Sequence, residues 1–394
     1  MRSERRGRRT ILLAVGGTGG HIYPAVAVGE RVRELFPEVE VWFAGRPTGQ
    51  EQRVAQKRGF RYAPISAARF PSGISPALLL FVLRTIAAFV QACLWVRRIR
   101  PCLIVGFGGY VSFPVIAAGI MGGVPVFLQE QNVVPGKVNR LLSKWARGMF
   151  TSFEETEGMV RCAVYQTGTP TRFEGKERRD AIVCRKKLGL EPARKTIFAF
   201  GGSQGAASIN RAVMEFAEIE KDNPDAQVLH LTGEREFDEY KKRYLELLHG
   251  EEAVEQYLSE PAKKVLGADD GLKVRVLPYL EEMDIGYGAA DVVLCRAGAA
   301  TLAELMDFGV AAVLVPYPYA AEAHQEKNAE IMERSGAALV ISNGALSGKG
   351  LTSLMGELFK TADLLDRMAQ KSRALRGGNA TESIVEVLSQ YIRG

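Results

Sequence analysis

The sequence predicts an α/β protein of two Rossmann-like, doubly wound parallel-sheet domains facing a cleft. Three observations predict it: short apolar runs of strand length alternate with helical stretches almost from end to end, the alternation breaks once and restarts, and the first strand of each half runs into a glycine turn. A chain of 394 residues with 47% hydrophobic and 24% charged residues has ordinary globular composition and length for about two domains.

In the first half the strand candidates are residues 10–15, 39–44, 102–105, 125–128 and 148–152, nearly all punctuated by Gly or Pro. At 168–179 (GTPTRFEGKERR) proline, glycine and charge replace the apolar periodicity, as expected of an interdomain linker. The pattern restarts with candidates 196–200, 226–231, 273–277, 291–295, 312–316 and 338–341. The expected division is a basic tail at 1–9, a first domain at 10–172, a second at 173–378, and a C-terminal helix at 379–394 that packs back on the first. In such sheets ligands bind beyond the carboxyl ends of the strands.

The bulk numbers exclude several classes. Five scattered cysteines without a C-x-x-C pair or a nearby His indicate neither a zinc site nor a disulfide framework. The net charge of +6 favours anionic partners, but no zinc-finger spacing or aromatic RNA-binding signature accompanies it, so nucleic acid is not expected as a partner. The apolar run 11–15 behind the basic tail is shorter than a signal-peptide core. Residues 77–96 (ALLLFVLRTIAAFVQACLWV) have the length of a membrane span, but Arg84 and Gln91 interrupt them and the run sits between two βα units. The bland reading is a buried or partly buried crossover helix. The sharper one is an interfacial patch at 74–81, with Arg84, Arg97, Arg98 and Arg100 available to anionic headgroups.

Both glycine turns, 16–20 (GGTGG) and 201–205 (GGSQG), suit phosphate at a helix N-terminus. Neither matches G-x-G-x-x-G with an acidic residue after the second strand, where Gly45-Arg46 stands instead, which makes a nicotinamide dehydrogenase the runner-up; no G-K-[ST] is present for a P-loop. His21, directly after the first turn, is either structural or a base toward a hydroxyl. Gly106 to Tyr110 (GFGGY) and Gln129 to Asn132 (QEQN) follow strands at the same sheet edge, as satisfied turns or as a sugar and acceptor site, with Gly108, Gly109 and Tyr110 on the acceptor side. In the second half, Arg296 to Glu304 (RAGAATLAE) runs from a strand into a helix with an early carboxylate. Glu304 there either compensates the helix dipole or accepts ribose hydroxyls. No Asp-x-Asp pair is present, so no metal is expected and diphosphate charge falls to backbone N–H groups.

Seven ordered motifs, GGTGGHIYPAVAV (16–28), GFGGYVSFP (106–114), QEQN (129–132), GTPTR (168–172), GGSQGA (201–206), RAGAATLAE (296–304) and PYPYAAEAHQEKNA (316–329), together resemble the bacterial N-acetylglucosaminyltransferases of peptidoglycan synthesis that convert lipid I to lipid II. The resemblance covers essentially the whole chain and implies a GT-B fold and no cofactor. It implies UDP-N-acetylglucosamine held by Ser203, Leu280, Ala299, Ala300, Thr301, Leu302, Ala303, Glu304 and Gln325, completed by Thr18, Gly19, Gly20, Asn132 and Arg172. Thr169 departs from a G-N-P-x-R pattern frequent in relatives.

By the same resemblance the reaction is an inverting displacement by the C4 hydroxyl of undecaprenyl-pyrophosphoryl-N-acetylmuramoyl-pentapeptide. His21 is the expected base and Glu130 the second candidate, because imidazole titrates near neutrality. The implied place is the cytoplasmic face of the inner membrane, peripheral on its anionic surface, with proteins of cell-wall assembly as candidate partners. A UDP-sugar epimerase on the same fold and a non-enzymatic nucleotide-sugar scaffold are the alternatives.

Overall fold

The structure, a computed structural model, describes residues 9–17, 19–67, 76–202, 204–250, 266–267, 270–361 and 363–393. The chain divides into two units, residues 1–174 with 377–394 and residues 175–376.

The first unit is built on seven parallel strands: β1 (Thr10–Ala14), β2 (Glu40–Gly45), β3 (Arg61–Pro64), β4 (Leu103–Gly106), β5 (Val126–Glu130), β6 (Gly148–Thr151) and β7 (Ala163–Gln166), in the order β3-β2-β1-β4-β5-β6-β7. β1, β4 and β5 are buried along their whole length, as strands covered on both faces must be. The two edge strands β3 and β7 were not expected. They are four residues each and partly exposed. Strand order reverses between β1 and β4, so the loops leaving these neighbours form the switch point of the sheet.

One face of this sheet is covered by the helices Gly19–Leu35 and Ala380–Arg393, the latter placing Ile384, Val385, Leu388 and Ile392 in one apolar cluster with Leu13, Val105 and Phe127. Glu174 caps the second helix: its carboxylate accepts from the Ala380 N–H at 2.7 Å and from the Thr381 N–H and hydroxyl, negative charge at the positive end of the dipole. The helix Pro76–Ile99 lies on the other face; its fully buried side chains are the small Ala88, Ala92 and Val96, and Phe89, Trp95 and Ile99 pack partly buried against the same cluster. Leu79, Leu83, Ile86, Val90 and Leu94, spaced at helical intervals, are more than half exposed. The crossover helix is thus partly buried, with an apolar outer face. Ile74 of the expected patch lies outside the described residues, and Phe81 is half-buried.

The second unit carries β8 (Lys195–Phe200), β9 (Ala226–Leu231), β10 (Lys273–Leu277), β11 (Val292–Cys295), β12 (Ala311–Leu314) and β13 (Ala338–Val340), parallel in the order β10-β9-β8-β11-β12-β13. All six lie within two residues of the expected spans. Ile197, Val228, Val274, Val292 and Val313 pack under the helices Ala207–Ile219 and Gly348–Lys360. The reversal here falls between β8 and β11, which places the second glycine turn and the 296–304 motif side by side.

Candidate active site

At the first switch point the turns after β1 and β4 interlock backbone to backbone. A Cβ on Gly16 would stand 2.9 Å from the Gly109 Cα, and one on Gly108 would stand 3.0 Å from the His21 ring, so only glycine fits. Gly108 and Gly109 also hold φ of +97° and +80°. His21, the third residue of the helix Gly19–Leu35, is thereby seated on the GFGGY loop. Gln131 Nε2 lies 3.2 Å from His21 Nδ1 and donates to the carbonyls of Phe107 (3.1 Å) and Gly20 (3.3 Å). His21 also bonds the Phe107 carbonyl. The direction of the contact between His21 Nδ1 and Gln131 depends on the ring tautomer, and a proton on Nδ1 is the arrangement that leaves the Nε2 lone pair free. Burial pushes this imidazole below its ordinary pKa, although the Glu130 charge and the Phe107 carbonyl pull upward, so the ring is neutral at pH 7.

Glu130, the second candidate base, is a structural keystone instead. One oxygen accepts from the Asn132 backbone and side-chain amides at 3.1 and 3.0 Å, the other from the Gly136 N–H and Asn139 Nδ2, each at 2.9 Å. A carboxylate 3% exposed and so fully engaged has no oxygen to offer a substrate proton. It orders Asn132 and the turn that follows. Arg172 stacks over the Tyr23 and Phe173 rings at 5.4 and 4.7 Å, with Tyr23 on the helix of His21. Tyr110 lies beside Arg46, whose guanidinium is also held by buried Glu51 at 3.0 Å. Thr18 lies outside the described residues.

The second switch point holds a cavity of about 580 Å³ lined by Gly201, Gly202, Gly205, Arg296, Gly298, Thr301, Tyr317, Gln325 and Asn343, among others. Gln325 Oε1 accepts from the Tyr317 N–H at 2.9 Å, which fixes the amide and leaves its nitrogen to donate. The helix Ala299–Phe308 begins at this cavity, and Gly298, its N-cap, has no side chain to satisfy the first N–H groups. Of the expected residues 299–304, Leu302 and Ala303 face inward. Leu302 is fully buried and its N–H is spent on the Gly298 carbonyl at 3.0 Å, so the open part of this segment is Ala299 to Thr301. Glu304 and Leu280 do not line the cavity; Glu304 accepts from the buried Tyr287 hydroxyl at 2.8 Å, which holds one carboxylate oxygen in place. Ser203 lies outside the described residues.

Arg296 was not singled out by sequence reasoning. Its guanidinium donates to the Val315 and Pro316 carbonyls, Asn343 Oδ1 and Ser208 Oγ at 2.8 to 3.3 Å, and among the described residues no carboxylate pairs with it. It is the one ionised side chain lining the cavity among the described residues. An arginine directly after a strand and just before a small-residue turn was the available signal. Among the described residues there is no group of three or more His, Cys, Asp or Glu side chains placed to hold a metal ion.

Residues 11–151 match the glycosyltransferase family 28 N-terminal domain and residues 196–387 the family 28 C-terminal domain. The UDP-N-acetylglucosamine–N-acetylmuramyl-(pentapeptide) pyrophosphoryl-undecaprenol N-acetylglucosamine transferase of Halothermothrix orenii is 34% identical over 385 residues, 96% of this chain and 98% of that one. Its namesake from Desulforudis audaxviator is 35% identical over 382 residues, with the same shares. The crystal structure of Acinetobacter baumannii MurG superposes with a TM-score of 0.74 at 26% identity, covering 97% of this chain and 99% of that one. UDP-GlcNAc 2-epimerase from Neisseria meningitidis, solved with UDP-GlcNAc bound, covers 97% and 100% at a TM-score of 0.64 but is 13% identical and shares the fold alone.

Proposed function

Because this chain belongs to the glycosyltransferase family 28 enzymes that transfer N-acetylglucosamine to N-acetylmuramyl-(pentapeptide) pyrophosphoryl-undecaprenol, we propose that it converts lipid I to lipid II in peptidoglycan synthesis. The acceptor C4 oxygen attacks the anomeric carbon of UDP-N-acetylglucosamine, the bond from that carbon to UDP breaks, and the new β-1,4 link inverts the configuration. His21 Nε2 takes the hydroxyl proton. Charge growing on the departing UDP is met by the glycine-turn N–H groups, the open N-terminus of the helix Ala299–Phe308, and Arg296. Gln325 donates to the sugar and Glu304 accepts from the ribose hydroxyls. On the first unit, the Gly108 to Tyr110 loop receives the acceptor sugar.

The observation that carries this reading is the second-unit cavity, lined by glycines, Thr301, Gln325 and Asn343, with one guanidinium that pairs with no carboxylate among the described residues and so suits an anionic diphosphate. Its test is UDP release from UDP-N-acetylglucosamine with and without lipid I. Release that depends on lipid I, at full rate in excess EDTA, is the expected result. Acceptor-independent rearrangement of the sugar would mark an epimerase, and binding without turnover a scaffold.

A lipid-linked acceptor requires work at the bilayer, and the exposed apolar face of the helix Pro76–Ile99 supports docking there. The helix is long and apolar enough to cross a membrane. Its buried Ala88, Ala92 and Val96 tie it to the sheet, however, which suits a face laid into the interface rather than a span. Exposed Arg84, Arg97, Arg98 and Arg100 suit the anionic headgroups of the cytoplasmic leaflet.

A further inference from the structure

Behind the glycine turn of the second unit runs a buried polar chain that none of these roles uses. His230, on β9, is fully buried; its Nε2 lies 3.1 Å from Asn210 Oδ1 and its Nδ1 2.9 Å from the Tyr244 hydroxyl. Asn210 Nδ2 donates to the Thr232 carbonyl at 2.9 Å and to the Glu236 carboxylate at 2.8 Å. These two acceptors settle every direction in the chain. An amide whose nitrogen faces two oxygens must turn its own oxygen to the imidazole, so His230 Nε2 carries the proton and Nδ1 accepts from Tyr244. Burial holds the His230 pKa down to about 3, which keeps the ring neutral and the directions fixed at working pH.

The far end of this chain touches the turn. A Cβ on Gly205 would stand 2.1 Å from the Thr232 carbonyl oxygen and one on Gly233 would stand 2.6 Å from the Gly205 nitrogen, so Gln204 and Gly205 rest directly on Thr232 and Gly233. Asn210 itself belongs to the helix that the turn opens, Ala207–Ile219. The relay therefore grips both the floor of the turn and the helix after it.

We propose that His230 and Tyr244 are positioning residues for the glycine turn: through Asn210 they hold Thr232 and Gly233 under it, set the aim of its backbone N–H groups, and so tune affinity for the nucleoside diphosphate of the donor without touching it. The inference rests on the donor-site reading above. Preorganised donors lose strength steeply when their aim drifts, whereas an ordinary core histidine would affect stability alone.

The test compares His230→Leu, which cuts the relay, with His230→Gln, whose nitrogen donates and oxygen accepts at a similar spacing. In the full chain, His230→Leu raises the KM for UDP-N-acetylglucosamine about tenfold or more while the lipid I KM stays within about twofold, and His230→Gln restores most of the loss. A folded His230→Leu variant with unchanged donor KM, equal rises in both KM values, or no restoration by Gln overturns the proposal. Should the Leu variant not fold, Tyr244→Phe decides: a donor-specific KM rise of about threefold or more supports the relay, and an unchanged KM removes it. Failure of the unaltered protein to bind UDP-N-acetylglucosamine would instead remove the donor-site reading.

Discussion

Gln131 stands in for the amide hydrogen that Pro24 lacks. In a regular helix residue 24 would donate to the carbonyl of residue 20; proline has no N–H, and Gln131 Nε2 donates to the Gly20 carbonyl at 3.3 Å. Its other hydrogen goes to Phe107, beside His21. A break in helix bonding thus becomes the hold by which the loop after β5 grips the helix of the proposed base, His21.

Gln131→Leu takes the donor from two carbonyls at once. The expected cost is about 1 to 3 kcal/mol of stability, with a fall in kcat as the His21 ring loses its neighbour. Denaturant melts and turnover measured on one preparation check it; unchanged values in both would show that Gln131 holds nothing.

His21 acts as a base only when neutral, and burial, the largest influence, lowers its pKa from 6.5. The kcat/KM profile is therefore flat through pH 7, with an acid limb below pH 6.5. His21→Ala removes this limb and about 10²- to 10⁴-fold of the rate. An acid limb above pH 6.5, or one that persists in the alanine variant, contradicts the assignment.

Glu304→Ala weakens UDP-sugar binding by roughly 1 to 3 kcal/mol, because ribose hydroxyls lose a charged acceptor. Tyr287→Phe, which releases the carboxylate from its 2.8 Å hydrogen bond, has a smaller effect of the same sign. Calorimetric titration with UDP-N-acetylglucosamine reads both. Intact affinity in a folded Glu304→Ala protein leaves that carboxylate with the helix dipole alone.

Leu83 and Ile86 are each 56% exposed on the Pro76–Ile99 helix. Changing both to Ser reduces sedimentation with anionic vesicles, in a salt-dependent manner, while thermal midpoint and UDP-sugar binding hold steady, since neither side chain supports the core. Undiminished pelleting by a stable double variant moves the docking surface elsewhere.

His230 ties stability to acid. Above pH 6.5 its ring is neutral in folded and unfolded chains alike. Between 6.5 and about 3 the unfolded chain takes up a proton that the folded one refuses, so stability falls with pH by about 1.4 kcal/mol per unit from this group. His230→Gln flattens the urea midpoint between about pH 6 and about pH 4 relative to the unaltered protein. Parallel pH curves for the two would show that His230 is already protonated in the fold.

What the sequence made legible follows from burial. Strands covered on both faces, such as β1 and β8, are continuous apolar runs ending in glycine, a pattern that water-facing segments of this length do not sustain. The edge strands β3 and β7 were missed because Arg61 and Gln166 face water and nothing forces an apolar pattern on them. The motif loops could be placed at strand ends, but the hydrogen-bond partners of Glu130 lie up to nine residues away and those of His230 up to twenty. That Glu130 is spent, that Leu302 faces inward and that Arg296 pairs with no carboxylate among the described residues are facts of three-dimensional partnership. The helix Pro76–Ile99 was ambiguous on separate grounds: the same apolar composition serves a core or a lipid surface, and only the pattern of small buried residues separates them.

The Glu174 cap and the helix it receives impose an order on synthesis. The second unit is inserted in the chain between Glu174 and Gly377, so about 200 residues leave the ribosome after the first sheet is complete and before Ala380–Arg393 exists to cover it. At roughly 5 to 20 residues per second that interval lasts about 10 to 40 s. Throughout it, the nascent sheet carries Leu13, Val105 and Phe127 without the apolar side chains of Ile384, Leu388 and Ile392. The first half of the gene product is thus the last to mature, and a chain stopped short of residue 380 would leave an uncovered apolar face as a handle for chaperones and proteases.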